Sequence, residues 1–150
     1  MKRKVRIGIA GYGNLGKGAE RAVGNNPDME LVAVFSRRPL TGTVSGAVAV
    51  SMDRIAEYKD QIDVMLLCGG SATDLAGQGP QLAALFNTVD SYDTHAKIPD
   101  YFEAMDSVAK KAGTVATISV GWDPGLFSLN RLLANAVLPE GIDYTFWGKV

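Results

Sequence analysis

Gly11-Tyr12-Gly13-Asn14-Leu15-Gly16 fits the pattern G-x-G-x-x-G. It follows an apolar, β-branched run at residues 5–10 (VRIGIA) and opens a helical stretch at 14–23, with Leu15, Ala19, Ala22 and Val23 spaced for one face. In that setting each glycine has a task. Gly11 makes the tight turn, Gly13 lets a pyrophosphate approach the backbone, and Gly16 lets helix and strand pack closely. Free N–H groups at the helix start add a positive end. The motif alone is weak, but a strand before it and a helix after it make a dinucleotide-binding loop the expectation for Gly11, Tyr12, Gly13, Asn14, Leu15 and Gly16. The competing reading is a purely structural strand-to-helix turn.

The next apolar run, 30–35 (ELVAVF), ends in Ser36-Arg37-Arg38. An NAD site usually carries Asp or Glu about 20 residues beyond the glycine motif, bonded to the ribose 2′-OH. Here a hydroxyl and two guanidinium groups stand instead, and arginine's fork suits phosphate. The cofactor expected is NADP; the alternative is a pair of solvated loop charges. After a third apolar run come Cys68-Gly69-Gly70-Ser71-Ala72-Thr73-Asp74, where small residues would let the nicotinamide ribose lie against the backbone. Cys68 reads as a small buried strand residue.

Two later strands end in Asp90-Ser91-Tyr92-Asp93 and in Gly121-Trp122-Asp123-Pro124-Gly125. Asp93 and Asp123 would project toward one crevice, where paired carboxylates can hold an ammonium group. Each has a plainer use: Asp90 and Asp93 in forming a turn, and Asp123 in capping the helix that follows. His95 is two residues past Asp93, and a His–Asp dyad competes with a surface histidine. Trp122 is either a core anchor or a wall of the substrate pocket.

These residues need elements to hold them. Further strands are expected at 47–51, 63–68, 88–92, 114–120 and 142–147. Helices are expected at 53–60 (capped by Ser51), 80–86 (with Pro80 near its first turn), 99–112 and 126–137. On the helix at 99–112, Phe102, Met105, Val108, Ala109 and Ala112 are spaced for one buried face, and Gly113 stops it. Strand–helix alternation implies an α/β, Rossmann-type doubly wound parallel sheet, with ligands at the carboxyl ends of its strands.

Composition narrows the function classes. With 150 residues, 47% hydrophobic and 21% charged, the chain can bury a core. A net charge of -1 leaves no global field for nucleic acid or an anionic membrane. One cysteine excludes an intramolecular disulfide, and together with one histidine it argues against a metal site of that type. No run reaches the ~18 apolar residues of a membrane helix. The expectation is a soluble, cytoplasmic chain without metal.

The segments GYGNLGKG (11–18), NPDMELVAVFSRR (26–38), LCGGSATD (67–74), TVDSYDTH (88–95), SVGWDPGLFSLNR (119–131) and TFWGK (145–149) together resemble meso-diaminopimelate dehydrogenase over essentially all 150 residues. The resemblance implies NADP-dependent, reversible oxidative deamination at the D-centre of meso-2,6-diaminopimelate, in lysine biosynthesis. The products would be ammonia and L-2-amino-6-oxopimelate, which cyclises to tetrahydrodipicolinate. By position it assigns Asp93 and Asp123 to the reacting amino group, Trp122 and Gly125 to the substrate pocket, and Ser36, Arg37 and Arg38 to the 2′-phosphate. It implies a homodimer. Family chains are longer, so residues 1–121 are expected to form the NADP-binding domain and 122–150 to begin a substrate and dimerisation domain. The alternatives are an NADP-binding module without turnover and another Rossmann oxidoreductase, such as dihydrodipicolinate reductase or homoserine dehydrogenase.

Overall fold

The computed structural model describes residues 3–140. Six parallel strands form one sheet: β1 (Val5–Ala10), β2 (Met29–Ser36), β3 (Ala49–Ser51), β4 (Val64–Leu67), β5 (Asn87–Asp90) and β6 (Ala116–Thr117). Their order is β3-β2-β1-β4-β5-β6, so the chain runs outward from β1 in one direction and then, beginning again beside β1, in the other. The switch point lies between β1 and β4, where a ligand is expected in such a sheet. The helices are α1 (Asn14–Gly24), α2 (Ala76–Ala83), α3 (Ile98–Ala112) and α4 (Leu126–Val137).

The doubly wound expectation holds, and the period of two shows why. Ile7 and Ile9 of β1 and Val34 of β2 point into one core with Val23 of α1. Ala10, Phe35, Met65 and Leu67 point the other way, into a larger core with Leu82 of α2 and Met105 of α3. Strands covered on both faces read as unbroken apolar runs. Arg6, the charge inside the first run, sits at the opposite end from the ligand crevice. Its backbone N–H and side chain both bond the Asp63 carboxylate, at 2.9–3.2 Å, which ties β1 to the start of β4.

Several expectations are corrected. On α1 the buried stripe is Gly16, Glu20 and Val23, while Leu15 is 48% exposed and Ala22 is also outside. A carboxylate took a core position because it has partners there, described below. On α3 the stripe is Tyr101, Met105 and Ala109, leaving Phe102 53% exposed. Gly113 does end that helix, at φ +71°. The helix expected at 53–60 is a 3₁₀ helix, Met52–Tyr58; Ser51 stands at its N-cap position, but its hydroxyl makes no capping bond and donates to the Asp53 carboxylate at 3.4 Å.

The polar stretch after β4 is not a loose loop. Thr73, Asp74 and Leu75 N–H all bond the Gly70 carbonyl, and Leu75 is fully buried, so the chain winds as a π turn (Ser71–Leu75) straight into α2. Pro80 therefore lies inside α2 rather than near its start. β6 is two residues rather than seven, and two residues past its end Ser119 adopts φ +57°, outside the extended conformation. The strand expected at 142–147 lies outside the described residues. Among the described residues no helix is long and apolar enough to cross a membrane, and no group of three or more His, Cys, Asp or Glu could hold a metal ion.

Candidate functional site

A cavity of about 670 Å³ opens at the carboxyl ends of β1, β2 and β4, within the range usual for small-molecule sites. Gly11, Tyr12 and Gly13 contribute from the glycine loop, Ser36, Arg37 and Arg38 from the end of β2, and Cys68, Gly69 and Gly70 from the end of β4. Three segments up to 59 residues apart in sequence thus meet around one space. Asn14, Leu15, Gly16, Ser71, Ala72 and Thr73 fall outside its lining. Met52, Asp74 and Gln78 belong to it and were not singled out by sequence reasoning. Asp74 follows the small residues after β4, and nothing in the local pattern marks Met52 or Gln78, which arrive from the 3₁₀ helix and from α2.

The glycine loop has the space a dinucleotide phosphate needs. Gly11 has φ +98°, and a Cβ there would stand 2.9 Å from the Cys68 carbonyl. A Cβ on Gly16 would stand 2.2 Å from the Gly11 carbonyl oxygen, so only glycine lets α1 come this close to its own loop. A Cβ on Gly13 meets nothing within 4 Å, and Gly13 borders the cavity; a side chain there would occupy the cavity itself. Gly13 is the N-cap of α1, with no side-chain cap, which leaves the first N–H groups of that helix open to an anion. A buried Gln78 carboxamide oxygen, without a partner among the described residues, adds an acceptor beside Gly69. The residues present fit a dinucleotide.

Charges around the cavity are arranged by neighbours. Glu20, 1% exposed, accepts from Tyr12 OH, from the N–H of Val44 (3.1 Å) and from the N–H and Oγ of Ser45 (2.7 and 2.5 Å). Burial pushes its pKa up, but these donors outweigh it and hold it at about 2. Glu20 thereby fastens the chain after the β2 arginines to the glycine loop through Tyr12. Arg37 reaches Asp74 at 3.0 Å across the cavity mouth, and the same carboxylate oxygen accepts from Gly70 N–H at 3.0 Å. The guanidinium of Arg38 has no side-chain partner among the described residues, while the Arg38 backbone N–H donates to Ser36 Oγ at 3.2 Å. Burial raises the Cys68 thiol to about 11, so it is an inert wall and not a nucleophile.

The aspartates sort differently from their spacing. Asp90, 2% exposed, makes the turn: Oδ1 accepts from Tyr92 and Ser119 N–H at 3.0 Å, and Oδ2 accepts from Tyr101 OH at 2.7 Å. Asp93 is exposed, and its carboxylate has no partner among the described residues; its N–H donates to Ser71 Oγ at 2.8 Å. Asp123 does not cap α4. Gly125 is the N-cap, its N–H donating to Ser128 Oγ at 3.5 Å, and the Asp123 carboxylate pairs with Arg131 at 2.7 Å. That guanidinium, one turn and more into α4, lowers the Asp123 pKa. Trp122 is no core anchor: it is 65% exposed and touches Phe127 edge to face. His95 is exposed. Neither Asp93 nor Asp123 lines the cavity.

Strand order, glycine loop and crevice define the class: a parallel α/β fold of the Rossmann, dinucleotide-binding type. Comparison with known proteins is more particular. The meso-diaminopimelate D-dehydrogenase of Ureibacillus thermosphaericus is 66% identical over 148 residues, covering 97% of this chain and 45% of that protein. A Corynebacterium glutamicum DAP dehydrogenase structure in complex with DAP superposes with a TM-score of 0.87 at 44% identity, over 98% of this chain and 45% of that one. An engineered D-amino acid dehydrogenase bound to NADP+ gives 0.84 at 44% identity, over 91% and 42%. The model of the diaminopimelic acid dehydrogenase C-terminal domain matches residues 121–150. The chain belongs to the meso-diaminopimelate dehydrogenase family, matching its amino-terminal part. It spans about half the length of the curated relatives it matches.

Proposed function

We propose that this chain supplies the NADP site, and the first two acidic groups of the amino-acid site, of an enzyme that oxidatively deaminates the D-centre of meso-2,6-diaminopimelate. The observation that carries the reading is the cavity itself: the glycine loop and Ser36-Arg37-Arg38 face one space, with no carboxylate at the end of β2 where NAD would want one. The 66% identity to a meso-diaminopimelate D-dehydrogenase supports the substrate, and the NADP+-bound relative supports the cofactor. We place the domain boundary after residue 121, where the family's C-terminal model begins and beyond which no described residue is buried.

When bound, NADP accepts hydride from the substrate's D-carbon. The groups of this chain prepare that carbon. A protonated amino group cannot push electrons toward its carbon, so the ammonium must first lose a proton; Asp93 and Asp123 hold it and pass that proton toward solvent. Water then adds to the substrate iminium and ammonia leaves, giving L-2-amino-6-oxopimelate. One substrate, one water and one NADP yield the ketone, ammonia, NADPH and a proton, and the reverse reaction is a reductive amination. Asp93 is exposed, and Arg131 beside Asp123 lowers the pKa of that carboxyl. The reading carries with it a cytoplasmic location and a homodimer.

Titration with NADP and NAD tests the site. The chain is expected to bind NADP more tightly, and a folded Gly13→Val variant to lose that binding by 100-fold or more, on the order of 3 kcal/mol. Equal NADP affinity in the folded variant overturns the assignment. NADPH absorbance on adding meso-diaminopimelate then separates an enzyme from a binding module, which binds nucleotide without producing it.

A further inference from the structure

Glu20 is a carboxylate where packing alone would place an apolar side chain. It lies on the buried stripe of α1 between Gly16 and Val23 and is 1% exposed, so it is stable there only with partners. Those partners come from outside α1. Tyr12 of the glycine loop donates its hydroxyl to Oε2, and the same hydroxyl accepts the Val44 N–H at 2.8 Å. Val44 N–H also reaches Oε2 at 3.1 Å, while Ser45 brings its N–H and Oγ to Oε1 at 2.7 and 2.5 Å. Successive backbone N–H groups make a small anion cradle, and the Glu20 carboxylate fills the one at 44 and 45. Behind the cradle the chain turns tightly: Gly46 has φ +78°, and Thr43 Oγ1 donates to the Ala47 carbonyl at 2.9 Å.

Val44 and Ser45 belong to the connection from β2 to β3, residues 37–48. The first part of that connection, 37–40, borders both the large cavity and a smaller hollow of about 320 Å³ against β3. Val44 itself is 50% exposed, and Ser45 is exposed. Resting on the dinucleotide reading above, we infer that Glu20 is a positioning residue for the cofactor: it fastens the β2–β3 connection to the glycine loop, so that this wall of the cavity stands in place before a nucleotide arrives. Glu20 does not line the cavity; it acts through Tyr12, which does, and through the connection. The end of β2 is where such folds receive the adenosine ribose. The effect of Glu20 therefore falls on every nucleotide with an adenosine half, with or without a 2′-phosphate. Apparent affinity scales with the fraction of time the wall is in place, and a fraction of one-tenth weakens binding about 10-fold.

The test pairs affinities for NADP, NAD and 5′-AMP with amide hydrogen exchange, in wild type and in Glu20→Gln, well below the melting temperature of each. A carboxamide in place of the carboxylate turns an NH₂ group toward one of the donors and breaks the cradle. The N–H groups of Val44 and Ser45 should then exchange faster, while those of β1 and β4 keep their rates. All three nucleotides should bind about 10-fold more weakly, by one common factor, so that the NADP/NAD ratio stays at its wild-type value. Ser45→Ala removes only an exposed hydroxyl; it should weaken all three about 3-fold, and it carries the same test if Glu20→Gln does not fold. Faster exchange at 44 and 45 with unchanged affinities makes Glu20 a structural residue and overturns the inference. Unchanged exchange, or a loss confined to NADP, overturns it as well. A wild-type chain that binds none of the three overturns the dinucleotide reading itself.

Discussion

The two ends of this chain use apolar residues in opposite ways. From β1 to α3 every main helix presses a stripe into the sheet: Val23 of α1, Leu82 of α2, Met105 of α3, none more than 4% exposed. In α4, by contrast, no residue is buried among those described. Leu129 is 58% exposed, Leu132 and Leu133 66%, Val137 77%. Periodicity is as good in α4 as in α3, so pattern alone does not make a core; an apolar stripe is buried only where another element faces it. The same contrast governs function. The cavity is walled by the ends of three sheet strands, whereas Asp93 and Trp122 are exposed and Asp123 is half-buried.

The largest test of that contrast compares two leucines. Leu67, 1% exposed, should cost about 2–5 kcal/mol on replacement by Ala, and Leu132→Ala should change stability by no more than about 0.5 kcal/mol. Paired denaturant midpoints measure both, and a costly Leu132→Ala would show that α4 is packed in solution.

Asp90 sharpens the boundary between the regions, because it bonds the β5 turn to Ser119 and to Tyr101 of α3. Asp90→Ala strands three buried donors and should cost on the order of 3 kcal/mol. A loss confined to local signals around residues 118–120, with global stability intact, would mean that Ser119 and not Asp90 makes the junction.

Within the nucleotide half, acid should act through Glu20. Its folded pKa of about 2 lies below its ordinary value of 4.5. Its contribution is therefore complete above about pH 4.5 and is lost as pH falls through about 2. Thermal melts across that window should fall more steeply in wild type than in Glu20→Gln. Parallel curves would show that the carboxylate is not charged in its network.

The smallest effect is expected at Asp123, whose ion pair with Arg131 is about one-third exposed. Asp123→Asn should lower the midpoint slightly at low salt and not at all in concentrated salt, since exposed pairs are screened. A large, salt-independent loss would mean that Asp123 supports the N-terminus of α4 after all.

Much of this was legible because short-range chemistry forced it. Gly11 and Gly16 stand where only glycine serves a tight turn and a close packing, so the glycine spacing announced the loop. Apolar runs announced strands covered on both faces. The stretch at 69–80 misled because Gly77, Gly79 and Pro80 argue against a helix locally, while burial of Leu75 and Leu82 outweighs them. Asp90 and Asp93 looked alike as turn formers. Only the arrival of Tyr101 and Ser119, 11 and 29 residues away, separated a buried hub from an exposed carboxylate.

Sequence by itself therefore determined the class of fold, the glycine loop, the arginines after β2 and the kinship with a dehydrogenase family, since each is written in residues close along the chain. Tertiary structure decided the rest: that Glu20 is buried, that Met52, Asp74 and Gln78 share the cavity, that Asp123 pairs with Arg131 rather than capping α4, and that Arg37 pairs with Asp74. The reason is physical. A charge is stable inside, or committed outside, only according to the donors and counter-charges that distant segments bring to it, and local pattern holds no record of those distances.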